Sequence, residues 1–132
     1  MESKDKSFPN KKRFTNSFRY AWCGIKTAFK EEQNLKVHMI ATGLVLLFGF
    51  LFKISYVEWL ICLILIGMVI SLEMINTAIE ATVDLACPKI DPKAKVAKDA
   101  ASGAVLVMAI ISAIIGGMIF LPKIINWLGE IL

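Results

Sequence analysis

Three long apolar runs, residues 35–52, 56–72 and 100–121, decide what this chain can fold into. The second continues through a polar-marked stretch as far as Ala86. A helix needs about 20 mostly apolar residues to cross a bilayer, with ~17 tolerable, and each run reaches that length. Backbone groups in lipid must be satisfied inside the protein, which leaves helices and closed barrels. No strand-like alternation points to a barrel. The expected fold is an all-α integral membrane protein with spanning helices over 35–53, 56–86 and 98–121. In a chain of 132 residues that is 57% hydrophobic, there is room for one such domain and for no sizeable aqueous globule.

A secretory signal peptide is not expected. The first apolar run is too long and too far from Met1, and no small-residue cleavage pattern follows it. Cys23, Cys62 and Cys87 are odd in number and far apart, so they read as packing residues, not as a disulfide framework or a zinc site.

The charges orient the spans. Of the 15 Lys and Arg, Lys4, Lys6, Lys11, Lys12, Arg13, Arg19, Lys26, Lys30 and Lys36 precede or open the first span. Lys89, Lys93, Lys95 and Lys98 lie between the second and third, and only Lys53 and Lys123 fall on the other side. By the positive-inside rule the N-terminus and the second loop are cytoplasmic, in a plasma-membrane protein. The net charge of +4 therefore reads as orientation and attraction to anionic lipid, not as nucleic-acid binding.

Outside the spans, residues 1–12 are expected to be disordered. Over 13–33 the apolar positions Phe14, Phe18, Ala21, Trp22, Ile25, Ala28 and Phe29 recur at three- and four-residue steps, which predicts an amphipathic helix lying in the headgroup layer. Residues 53–56 form a turn too short to hold an external domain. The two prolines of CPKIDPK (87–93) end the second span. Residues 122–132, after Pro122, read as a short amphipathic tail on the outer surface. Trp22, Trp59 and Trp127 suit interfacial anchors. Ala109, Ala113 and Gly117 keep a four-residue step that lets helices approach closely, and three helices offer little interior, so self-association is expected.

The stretch EMINTAIEATVD (73–84) carries the chemistry. At ~100° per residue, with Glu73 at zero, Asn76 falls near 300°, Thr77 near 40°, Glu80 near 340° and Asp84 near 20°. Solvated decoration at a span's end, or interhelical hydrogen bonding by Asn76 and Thr77, would each account for part of it. Yet carboxylates at i and i+4 repel on an isolated helix, and an acid at bilayer depth costs about 2.5–3.5 kcal/mol. Confinement to one arc is what a buried polar site needs. Topology brings Glu31, Glu32, Asn34, Lys36 and His38, and also Lys98, Asp99 and Ser102, to the same membrane level. Carboxylates, an amide, Lys and Arg together suit a divalent cation carrying a polyphosphate.

EMINTAIEATVD closely resembles the signature of the small prokaryotic diacylglycerol kinase family, E-x-x-N-[ST]-[AS]-[IL]-E-x-x-V-D. The likeness covers nearly the whole chain, including R-F-x-x-S-F-R-Y-A (13–21), E-x-N-x-K-x-H (32–38) and A-K-D-x-x-S-G-A-V (97–105). Asn34 and His38 resemble the undecaprenol kinase branch of Gram-positive bacteria, whereas the diacylglycerol-specific branch more often has an acid where His38 stands.

The resemblance implies a homotrimer with composite active sites at the cytoplasmic surface, and Mg²⁺- and ATP-dependent phosphorylation of a membrane lipid alcohol. Undecaprenol is the favoured acceptor and diacylglycerol the alternative. Glu73 would be the general base on the lipid hydroxyl. Glu32 and Glu80 would hold the metal ion, and Arg13, Tyr20, Lys98 and Asp99 would contact the nucleotide. Asn76 and Asp84 would orient this set, and Ser102 would line the lipid site. The depth order agrees, because Glu73 is the acid nearest the bilayer interior and Glu80 lies toward water. There is no P-loop and no protein-kinase H-R-D or D-F-G set. A small oligomeric channel or transporter subunit is the reading from another class. It would need polar groups in the outer halves of the spans, which hold Val45, Leu46, Leu47, Ile61, Leu63 and Ile114, with Glu58 only at the rim.

Overall fold

The computed structural model describes residues 10–131, with side chains for 13–30 and 32–131. Four helices follow in order: α1 Asn10–Glu31, α2 Gln33–Leu51, α3 Tyr56–Ala86 and α4 Pro92–Ile131. The last three are each long and apolar enough to cross a membrane, which makes the chain a multi-pass membrane protein. The disorder expected over 1–12 lies, for 1–9, outside the described residues, while Asn10 already opens α1.

α1 and α2 are separated by a single residue. Glu32 takes an extended backbone (φ −91, ψ 119), and its N–H closes the last turn of α1 on the Ala28 carbonyl at 2.9 Å. The amphipathic helix therefore stops short of the expected residue 33. Glu32 becomes the N-cap of α2 without using its side chain there.

The α2–α3 turn is closed by backbone chemistry. The Ile54 N–H reaches the Gly49 carbonyl at 3.1 Å and the Lys53 N–H reaches that of Phe50 at 3.3 Å, the two bonds of a Schellman cap. Lys53 supplies the left-handed residue that this cap requires (φ 49). Gly49 is fixed by a close approach: a Cβ there would stand 2.6 Å from the Trp59 indole. Trp59 thus packs against its own chain, with Phe50 at 4.9 Å, instead of serving only as an interfacial anchor. α3 then starts on a capping box, in which the Ser55 hydroxyl accepts from the Glu58 N–H and the Glu58 carboxylate accepts from the Ser55 N–H.

α3 and α4 form the main antiparallel hairpin, with the most extensive packing between any two helices. Two ion pairs bracket it, Glu58–Lys123 at one end and Asp84–Lys98 at the other, both at 2.7 Å. By helical rise, Glu58 and Asp84 stand about 39 Å apart, more than the ~30 Å of a hydrocarbon core. Counted from Glu58, that core ends near Ala78. Glu73 is then about 7 Å inside it, and Glu80 just outside.

The helix that carries the third span extends beyond the expected 98–121 at both ends. α4 begins at Pro92, not near 98, because Asp91 caps it: the Asp91 carboxylate accepts from the N–H groups of Lys93 (2.7 Å) and Ala94 (3.3 Å), with proline in the first helical position. No separate tail begins at Pro122; α4 runs through it to Ile131. A proline removes one backbone bond, which a membrane helix tolerates when neighbours hold the segment. Here Lys123 is tied to Glu58, and the Trp127 ring lies 6.4 Å from Phe52.

Candidate functional site

The polar arc of α3 divides by depth. Glu73 and Asn76 are buried, at 2% and 6% exposure, and are the buried polar or charged residues among those described. Leu35, the first apolar residue of α2, is fully buried as well. One turn on, the Asn76 side-chain N–H donates to the Glu80 carboxylate at 3.1 Å. Thr77 bonds back to the Glu73 carbonyl at 3.0 Å, so its hydroxyl is spent on its own helix.

Glu73 Oε1 and Asn76 Oδ1 are buried and have no hydrogen-bond partner among the described residues. A buried acceptor without a donor costs about 1–3 kcal/mol, and more when charged. Both face a deficit of donors that a hydroxyl, a water or a cation would fill.

Nearer the helix end, a cavity of about 510 Å³ opens between the last turns of α3, the 87–91 loop and the first turns of α4. Glu80, Asp84, Lys98, Asp99 and Ser102 line it. Lys98 bridges its two walls by donating to Asp84, and Lys95 pairs with Asp99 along α4. These pairs are solvent-facing (Asp84 is 66% exposed), so they order the rim more than they stabilise the fold.

Five of the residues singled out in the sequence thus meet at one cavity, and Glu73 and Asn76 stand deeper on the same helix. Arg13, Tyr20 and Glu32 do not line it. Arg13 and Tyr20 are exposed on α1, where the Arg19 guanidinium lies 5.5 Å from the Tyr20 ring, and Glu32 is half-buried at the α1–α2 junction. The Glu31 side chain lies outside the described residues. Sequence reasoning missed Cys87 as a wall of this cavity, although its place beside Pro88 at the end of α3 could have signalled it.

The donors suit Mg²⁺ in kind. Glu80 is held by Asn76, and the Asn76 carbonyl oxygen beside it lacks a partner, so the set is all oxygen. Among the described residues, no three or more His, Cys, Asp or Glu gather closely enough to hold a metal ion by themselves. Magnesium is content with one or two carboxylates when phosphate oxygens and water complete its shell.

Three membrane-length helices with a cleft of mixed charge at one end define a membrane protein built for polar chemistry beside lipid. The model of the prokaryotic diacylglycerol kinase family matches residues 19–120, and the chain belongs to that family. It is therefore a phosphotransferase. Among its relatives, the undecaprenol kinase of Bacillus subtilis (strain 168) is 51% identical over 124 residues, which is 94% of this chain and 100% of that one. A diacylglycerol kinase of Synechocystis is 36% identical over 111 residues, covering 83% of this chain and 63% of the other. A diacylglycerol kinase of Helicobacter pylori (strain J99) is 32% identical over 116 residues, 87% and 90% of the two chains.

Proposed function

We propose that this chain transfers the γ-phosphoryl group of ATP to undecaprenol at the cytoplasmic face of the plasma membrane. The observation that carries this reading is the buried Glu73 carboxylate with an unpartnered oxygen, about two turns from a polar cavity; counted by helical rise from Glu58, it falls at hydrocarbon depth. An alcohol anchored in lipid presents its hydroxyl at that depth, and ATP reaches the cavity from water.

Glu73 accepts the proton of the lipid hydroxyl as its oxygen bonds to the γ-phosphorus and the bond to ADP breaks. Glu80 and Glu32 hold Mg²⁺, with Asn76 fixing Glu80. The metal, when bound, offsets charge on the phosphates. Lys98, steadied by Asp84, faces phosphate, and Asp99, Arg13 and Tyr20 face the rest of the nucleotide. Ser102 lies at the lipid-side edge of the cavity. Arg13, Tyr20 and Glu32 reach the nucleotide across a subunit boundary in a homotrimer. The open small-residue positions Gly103, Gly116 and Gly117, where a Cβ would meet nothing within 4 Å, support such a neighbour. The cytoplasmic placement rests on the Lys and Arg bias.

Diacylglycerol is the second reading, favoured by the 36% and 32% identical relatives. Purified protein with labelled ATP and Mg²⁺, given undecaprenol and diacylglycerol in parallel mixed micelles, separates the two. Undecaprenol is expected to be phosphorylated faster. Faster turnover of diacylglycerol reverses the substrate, and no product from either alcohol defeats the reading.

A further inference from the structure

The largest fully buried side chains among the described residues are a leucine and a carboxylate, Leu35 and Glu73. The pairing of α2 with α3 sets them at one level. The two helices run antiparallel from the 52–55 turn, where Gly49 lies against Trp59. From there an apolar groove of about 300 Å³ takes into its wall Val45 and Cys62, then Ala41 and Ile66, then His38 and Ile70. Each pair lies about one turn beyond the last, and the next turn brings Leu35 level with Glu73.

Leu35 and Gly49 are the buried residues of α2, while Asn34, Lys36 and Val37 around Leu35 are exposed. The helix therefore turns inward at two points, and one of them is the level of Glu73. On the α3 side the groove stops at Ile70 and the polar cavity starts at Glu80. Neither Leu35 nor Glu73 lines either space, so the two stand in the partition between them.

A leucine gives Glu73 no hydrogen bond, and Glu73 Oε1 is left without a partner. A donor at this position would stabilise the buried acceptor more than a leucine does. Acceptor choice accounts for the leucine. A carboxylate that takes a proton from an alcohol can take one from water. The oxygen of water would then bond to the γ-phosphorus, the bond to ADP would break and the proton would pass to Glu73, spending ATP without making lipid phosphate. Keeping water out of the site prevents that loss.

We propose that Leu35 selects the phosphoryl acceptor by keeping water away from Glu73, so that transfer goes to the lipid alcohol. This rests on the kinase reading above and deepens it. An alcohol meets the leucine methyl groups with the carbon that bears its hydroxyl. Water in the same place leaves its own hydrogen bonds unmade.

Leu35→Ala opens the partition. Two quantities are measured on the purified protein: ATP hydrolysis with Mg²⁺ and no lipid, and lipid phosphate formed per ADP in undecaprenol micelles. We expect hydrolysis to rise at least about fivefold and the lipid phosphate per ADP to fall. Adding Glu73→Gln to Leu35→Ala should return hydrolysis to the level of the unmodified protein. Leu35→Met refills the space and should keep both quantities within about twofold of that level. Ile119→Ala makes a comparable hole in the outer-end cluster and should leave hydrolysis unchanged. A purely structural Leu35 would instead make hydrolysis and lipid transfer fall together.

Folded Leu35→Ala with no gain in hydrolysis would overturn the inference and leave the kinase standing. An equal gain in Ile119→Ala, or a gain that survives Glu73→Gln, would overturn it as well. If Leu35→Ala does not fold, Leu35→Val takes its place with a gain of at least about twofold expected, and no gain overturns the inference. Absence of lipid phosphate from the unmodified protein would defeat the kinase reading, and this inference with it.

Discussion

The two ends of the α3–α4 hairpin are built on opposite principles. At the Ser55 end nearly every polar group has a partner: a Schellman cap, a capping box, and a Glu58–Lys123 pair only about one quarter exposed on either side. Aromatic packing closes it, with Trp59 against Gly49 and Phe50. At the Asp84 end the polar groups outnumber their partners, two buried acceptors lack donors, and a cavity stands open. Satisfied groups hold a fold, and unsatisfied ones wait for a ligand. The contrast predicts that damage at one end costs stability and damage at the other costs chemistry.

The largest effect on nucleotide handling is expected at Glu80. Glu80→Gln keeps an acceptor for Asn76 but removes the charge, so Mg-ATP affinity should fall by at least about tenfold without loss of fold. Calorimetric titration with Mg-ATP checks it, and unchanged affinity removes Glu80 as a metal ligand. Next, Gly49→Ala pushes a methyl into the Trp59 ring and should destabilise the protein by about 1–3 kcal/mol, with turnover per folded molecule unchanged. Unfolding in denaturant measures this, and a neutral result would mean that the indole moves freely.

A smaller effect is expected at Asp84. Asp84→Asn should raise the KM for ATP about two- to fivefold and leave kcat nearly intact, because Lys98 loses its steadying charge at an exposed site. A fall in kcat alone would place Asp84 in the chemical step. Smallest of all, Lys53→Gly relieves a left-handed backbone and should stabilise the protein by up to about 1 kcal/mol. A loss of stability there would mean that the lysine side chain contributes more than its backbone costs.

Much of this division was legible in the chain. Length and hydropathy mark the three spans, and the helical period gathers Glu73, Asn76 and Glu80 on one side whatever surrounds them. The D-P pair at 91–92 also announced a cap and a first-turn proline, and S-Y-V-E at 55–58 a capping box, but both are short signals easily lost beside a long hydropathy run. The passage of α4 through Pro122 was not legible, because tertiary partners of Lys123 and Trp127 decide it. The burial of Glu73 was foreshadowed by the one-sided polar arc of 73–84, whereas the way α2 and α4 close around α3 was not legible. The exposure of Arg13 and Tyr20 is likewise a property of packing that no local pattern encodes.

The central claim, that the unsatisfied end is the seat of phosphoryl transfer, meets its most direct test in one side chain. Glu73→Gln, assayed for transfer of labelled phosphate to undecaprenol in the micelles used for the unmodified protein, should lose at least about 100-fold in kcat with Mg-ATP binding preserved. A rate within a few-fold of the unmodified protein would contradict the account.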